Sequence, residues 1–186
     1  MNKEHLTMDG LKKIIAIKAS NNNGLSDVLK VAFPLITPVQ RPNNLIFKIK
    51  DPKWLAGFTS GEGCFLVKVT SSSSHRLGFQ VLLVFRLTQH SRDEQFMRSL
   101  IEYLDCGKVQ DLVSTEACSF TVSSLKSLEA KVIPFFSKYP LLGIKSRDFA
   151  DFCEVVNIMK ENGHLTKKGF DQIQKIKARM NAKRGI

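Results

Sequence analysis

Glu62 stands between two glycines at the end of an apolar segment, Trp54-Leu-Ala-Gly-Phe-Thr-Ser-Gly-Glu-Gly-Cys-Phe65. The first part of that segment is patterned as a helix, and Phe65 opens a run with strand alternation, so the carboxylate falls at a helix-to-strand junction. The C-terminal end of a helix carries partial negative charge from its unpaired carbonyls. An acid there is unfavourable unless a cation shares the place. Gly61 and Gly63 let the backbone turn sharply and approach a neighbour closely. Gly57 and Gly61, with Ala56 and Ser60, leave one side small enough for a second helix to pack against. A glycine cap accounts for a glycine at this point but not for the acid beside it.

The elements that must position this acid follow from the hydrophobic periods. Residues 64–70 alternate as a strand, 71–77 read as a polar hairpin tip, and 78–90 form a long strand with Phe79, Val81, Leu83, Phe85 and Leu87 on one face. Residues 93–104 carry a helical stripe of Phe96, Met97, Leu100, Ile101 and Leu104. Strands follow at about 107–113 and 117–123, then helices at 124–136 and 147–161 and a basic helix near the C-terminus. The order is α-β-β-α-β-β-α with extra C-terminal helices. It predicts an α+β fold in which four antiparallel strands have helices on one face and leave the other free. Alternation points Lys68, Thr70, Gln80, Leu82, Val84, Arg86, Thr88, Lys108, Gln110, Leu112, Ser119 and Thr121 toward the free face. Most of these donate or accept hydrogen bonds and none is acidic.

The motif and the element order together resemble the LAGLIDADG homing endonucleases, over essentially the whole chain. The resemblance implies an αββαββα core whose sheet is a DNA-binding saddle. Two signature helices would pair on a dimer or pseudo-dimer axis, each delivering one acid from its C-terminal end. In this sequence the pairing residues are Leu55, Gly57, Phe58 and Gly61, and the acid is Glu62. Hard oxygen ligands suit Mg²⁺, so Glu62 and the Gly61 carbonyl are the expected metal ligands. Gln89, at the end of the second strand, and Lys145, after the third core helix, fall where family members place polar residues near the metals. They complete the expected catalytic set. Lys68, Thr70, Gln80, Arg86, Thr88, Lys108, Gln110, Ser119 and Thr121 are the expected DNA contacts, since Lys and Arg suit guanine and phosphate, Gln suits adenine, and Ser and Thr suit either.

Charge agrees with a polyanionic partner. The 186 residues carry a net charge of +11, with a pI near 9.6 and a mean hydropathy of −0.09. No apolar run approaches membrane-spanning length, and no strongly basic amphipathic helix with an aromatic face argues for a membrane surface. Residues 160–186 alone hold eight Lys or Arg and two acids, a candidate clamp for DNA phosphates. Cys64, Cys106, Cys118 and Cys153 form no metal-type spacing and imply a reducing compartment. The four histidines are scattered and suggest no cluster.

An internal repeat sets the domain organisation. Residues 2–22 and 161–181 align without gaps with 9 of 21 positions identical, among them Thr7/Thr166, Gly10/Gly169, Ile14/Ile173, Ile17/Ile176 and Asn22/Asn181. Both copies read as a Thr-capped basic amphipathic helix. The second copy closes the domain at 53–186. The first then reads as the closing helices (1–33) of a preceding, missing repeat, joined by a Pro-rich linker at 34–52. A short helix capped by Ser26 is expected within the first segment. The chain thus resembles the second half of a two-copy, single-chain enzyme encoded in an organellar intron, which implies a mitochondrial site of action. The second acid would come from a homodimer or from the missing half. The alternatives are a maturase that binds intron RNA and a truncated half that binds DNA without cutting.

Overall fold

The computed structural model describes residues 3–21, 23–40, 49–113 and 115–181. It divides into two compact units, Met1–Ile46 and Phe47–Ile186. The first unit holds a 3₁₀ turn (Glu4–Leu6), α1 (Met8–Ser20) and α2 (Asp27–Ala32). Thr7 caps α1 by accepting a hydrogen bond from the Gly10 N–H at 3.0 Å. Ser26 is at the N-cap position of α2, but its side chain makes no capping bond. The linker expectation falls partly on residues 41–48, outside the described residues.

The second unit begins with α3 (Pro52–Glu62), capped by Asp51, which accepts from the Lys53 N–H at 2.9 Å. Pro52 suits the first helical turn because no intrahelical partner awaits its missing N–H. Then come β1 (Gly63–Ser71), β2 (Phe79–His90), α4 (Glu94–Leu104), β3 (Lys108–Asp111) and β4 (Ala117–Val122). The strands form one antiparallel sheet of order β1-β2-β4-β3. After it, α5 (Leu125–Ser127) runs through a π-helical turn (Leu128–Val132) into α6 (Ile133–Lys138). The wide turn lies immediately ahead of Pro134, whose ring would clash with the carbonyl four residues back in a regular helix. The chain closes with α7 (Ile144–Lys160), a 3₁₀ turn (Gly163–Leu165) and α8 (Lys167–Ala178).

The core lies on one side of the sheet. Phe65 and Val67 of β1, Val81, Leu83, Phe85 and Leu87 of β2, and Cys118, Phe120 and Val122 of β4 meet Leu55, Met97, Leu100, Leu128, Val132, Phe136, Phe152, Val156, Ile173 and Ile176 from the helices. Phe65 alone touches the rings of Phe85, Phe136, Phe149 and Phe152. This matches the alternation expected from sequence. Regular structure at the strand ends is shorter than expected: β3 stops at Asp111 and β4 at Val122.

The closing helix is fastened to the strand that follows Glu62. Asn181 Nδ2 donates to the Phe65 carbonyl at 3.0 Å, and its backbone N–H donates to the buried Asp148 at 2.9 Å. Arg179 donates to Asp151 at 2.7 Å and to Glu154 at 2.9 Å. Of the basic residues at 160–186, Arg179 is therefore committed to a contact with α7, and Lys160 is paired with Glu129 at 2.6 Å. Lys183 and Arg184 lie outside the described residues.

Candidate functional site

α3 buries Leu55, Ala56 and Thr59 and leaves Gly57, Gly61 and Glu62 exposed. A Cβ added at Gly57 or Gly61 would meet nothing within 4 Å, so this small-residue face is open. Phe58 is half-buried, stacked on Trp54 at 5.2 Å and edge-on to Phe96. Leu55 departs from the pairing expectation. It is 0% exposed inside the unit's own core, so it anchors the helix rather than facing a partner. Ala56 and Ser60 also leave the pairing face. Ala56 is buried, and Ser60 Oγ accepts from the Leu142 N–H at 3.1 Å.

Gly63 takes extended backbone (φ −75°, ψ 150°) and its N–H donates to the Thr59 carbonyl. Its value lies in close approach: a Cβ there would come within 2.5 Å of the Thr59 carbonyl oxygen and methyl group. The strand can therefore leave the helix at once, with Glu62 on the last helical residue. The Glu62 side chain is exposed and has no hydrogen-bond or ion-pair partner among the described residues. The last turn of α3 holds no basic residue. A carboxylate added to the negative end of a helix, with no ion-pair partner among the described residues, fits a hard divalent ion taken from solution.

Gln89 lies at the Glu62 end of the sheet, and Lys145 follows a loop that is tied to α3. Gly63 pairs with Leu87 across β1 and β2, and Gln89 lies two residues further along β2, beyond the start of β1. The tether from Ser60 to Leu142 holds the loop before α7 against α3, and Lys145 stands in the first turn of α7, half-buried. Sequence reading missed that tether, because a serine in a helix gives no sign of a partner so distant in the chain.

The free face is a set of rows crossing the strands. Cys64, Arg86, Thr121 and Lys108 form one row, and Thr88, Ser119 and Gln110 a second. Leu66 faces Val84, Lys68 faces Leu82 and Thr70 faces Gln80 along the longer arm. No acid lies in any of these rows. Lys68, Arg86 and Lys108 make no ion pair among the described residues, whereas Arg98, Lys131, Lys160 and Arg179 all do. Lys68, Thr70, Lys108 and Gln110 are exposed, and Gln80, Arg86, Thr88 and Thr121 half-buried. Ser119 is corrected: at 4% exposure it sits at the floor between Thr88 and Gln110 and offers little surface to a ligand. Cys64 and Leu66 also belong to this face and were legible by carrying the alternation of β1 back toward Glu62.

The histidines are less scattered than their positions suggest. His75, from the hairpin tip, and His164, from the turn before α8, line one open cleft of about 330 Å³ with Arg76, Phe79, Asn162 and Thr166. Burial, and then the neighbouring His75, push the His164 pKa below its usual value.

Fold and site together define a class: an antiparallel saddle on which one signature helix presents a lone acid. A sequence model described as "LAGLIDADG endonuclease" matches residues 55–156, and the chain belongs to that family. It is 41% identical over 173 residues to the Neurospora crassa protein named "Probable intron-encoded endonuclease 3", covering 92% of this chain and 32% of that protein. It superposes with a TM-score of 0.94 on the LAGLIDADG homing endonuclease I-SmaMI bound to cleaved DNA, at 44% identity, covering 98% of this chain and 61% of the other. It also matches I-SmaMI bound to uncleaved DNA target in the presence of calcium ions, with a TM-score of 0.91, 45% identity and coverage of 96% and 61%. The chain thus spans about a third of that curated relative and less than two thirds of the solved structures it matches.

Proposed function

We propose that this chain is one half of a site-specific, divalent-metal-dependent DNA endonuclease of the intron-homing type. Glu62 carries the reading: an exposed carboxylate at a helix C-terminus, unpaired among the described residues, next to a sheet face whose rows hold cations without ion pairs among the described residues and no acid. Glu62 and the Gly61 carbonyl would hold Mg²⁺, which when bound neutralises charge on the scissile phosphate and lowers the pKa of a coordinated water. Lys145 adds positive charge at that end of the sheet, and Gln89 supplies a donor and an acceptor able to orient solvent. Lys68, Thr70, Gln80, Arg86, Thr88, Lys108, Gln110 and Thr121 hold the DNA. The open face of α3 pairs with a second signature helix, which brings the second acid.

The first unit is the closing segment of a preceding half-domain. Two features support this. The Thr cap onto Gly10 recurs as Thr166 onto Gly169 at 3.1 Å. Ile14 and Ile17 are 48% and 51% exposed, whereas their counterparts Ile173 and Ile176 are 0% and 2% exposed. The same capped helix is written twice, and two isoleucines that are buried in the second copy are exposed in the first among the described residues. Expression from an intron fits the intron-encoded name of the Neurospora crassa relative, and the mitochondrion is the site of action that the family resemblance implies.

The test is a plasmid-cleavage assay with Mg²⁺ alongside a binding assay. Wild type is expected to nick or cut DNA that it binds. Glu62→Gln is expected to retain binding and lose cleavage by at least about 100-fold. Binding without any cleavage by the wild type would reject the nuclease reading in favour of a DNA-binding half, and selective binding of structured intron RNA would favour a maturase.

A further inference from the structure

We propose that the open face reads its half-site as an ordered series along β2: guanine at Arg86, nearest Glu62, then thymine at Leu82, then adenine at Gln80. The inference rests on the DNA-binding reading above and assigns the base chemistry that this face selects. Arg86, Val84, Leu82 and Gln80 alternate onto one face of a single strand. Same-face neighbours on a strand are about 6.8 Å apart, and base pairs of B-form DNA rise about 3.4 Å, so each step along β2 spans about two base pairs. The direction is fixed by chemistry at the other end. Gly63 follows Glu62 and pairs with Leu87, so positions on β2 move away from the acid as their numbers fall.

Position across the sheet decides which cations read bases. The row of Cys64, Arg86, Thr121 and Lys108 spans all four strands, a width of about 14 Å against a major groove of about 12 Å. Lys108, exposed on the edge strand β3, meets the groove wall and its phosphates. Arg86, half-buried on the inner strand β2 and without a carboxylate partner among the described residues, faces the groove floor, where its fork matches the O6 and N7 of guanine. Beyond β4 the saddle narrows to the two-stranded β1–β2 ribbon, a width that one major groove admits. There β2 turns apolar, while the exposed Lys68, level with Leu82 on the edge strand β1, meets the groove wall and its phosphates as Lys108 does. Val84 is 8% exposed, paired with the half-buried Leu66, and Leu82 rises beside them at 38% exposure. An apolar step in the middle of a hydrogen-bonding face leaves donors and acceptors of other bases unanswered, but it covers the C5 methyl of thymine. Gln80, one step further out and level with Thr70, presents the amide that pairs with adenine N6 and N7.

The full chain is used to select DNA from a pool randomised across the half-site, in the absence of Mg²⁺. Selected DNA is expected to carry guanine, thymine and adenine in that order outward from the cleavage point, with about four base pairs between the first two and about two between the last. Arg86→Ala should relax only the guanine, by about tenfold or more, and Gln80→Ala only the adenine. Deoxyuridine in place of the central thymine should weaken wild-type binding about fourfold and leave Leu82→Ala indifferent. Lys108→Ala should weaken all sequences alike. DNA that is bound without this order, a silent deoxyuridine substitution, or a change of base preference in Lys108→Ala overturns the assignment and leaves the DNA-binding reading intact. A chain that retains no DNA from the pool overturns both.

Discussion

Gly61 and Gly63 flank the same acid, yet substitution should move stability in opposite directions. Gly61 is exposed within α3, with nothing near its missing side chain, so Gly61→Ala trades a poor helix former for the best one. A gain of about 0.5–1 kcal/mol is expected in urea unfolding of the isolated chain. Gly63→Ala forces a methyl against the Thr59 carbonyl at 2.5 Å, and because that oxygen is backbone, the helix end itself must shift. A loss of about 1–3 kcal/mol is expected in the same experiment, and equal effects at the two glycines would contradict the local geometry. His164 offers a second test at this scale. Its pKa is lowered by burial and by His75, so the unfolded chain takes up a proton at a higher pH than the folded one. Stability from this site is therefore full above the ordinary histidine value of about 6.5 and falls as pH drops through it. The melting temperature should decline from pH 7.5 to 5.5, and His164→Gln should remove part of that slope. An unchanged slope would mean that the cleft does not loosen on protonation.

Helices α1 and α8 share a sequence and a cap but not an environment. Ile173→Ala opens a cavity in a packed core and should cost about 2–5 kcal/mol, whereas Ile14→Ala at the matching place in α1 should change stability by less than about 0.5 kcal/mol. Chemical denaturation of the two variants checks this, and similar losses would mean that α1 is covered within this chain. The comparison also shows what sequence can and cannot carry. The two threonine caps, the strand faces and the order of elements were legible because each is written in local spacing: Thr three residues before Gly, or apolar residues at every second position; the Ser26 cap, expected on the same kind of signal, does not form. The place of Glu62 was legible for the same reason. The fate of Leu55 was not, since helical spacing shows which residues are apolar but not which of two helix faces meets the chain's own core. Ser119 alternated correctly onto the open face, yet its depth there depends on neighbours from β2 and β3. The π-helical turn, the Ser60–Leu142 tether and the meeting of His75 with His164 arise from tertiary packing, and no local pattern announces them.

At the scale of the whole molecule, the proposed reading gives this chain one acid, on the one signature helix among the described residues, and asks for a second acid to cut both strands of a duplex. The exposed face of α3 is suited to a two-fold contact, because the Gly57 and Gly61 of one copy can lie against the same residues of another and bring the two helix axes close. On that reading the chain is expected to self-associate through this face, with double-strand cleavage rising as the square of protein concentration while monomer predominates. Gly61→Leu separates assembly from folding. Nothing lies within 4 Å of a Cβ at that position and leucine is a better helix former than glycine, so the variant should melt no lower than the wild type while its larger side chain holds the helices apart. Analytical ultracentrifugation should show dimerisation weakened at least about tenfold, from the loss of close helix packing. Double-strand cleavage should fall with it, while binding to a single half-site persists because the saddle is untouched. A wild-type chain that stays strictly monomeric at high concentration and still cuts both strands would show that Glu62 needs no second acid, and the pairing role of α3 would have to be abandoned.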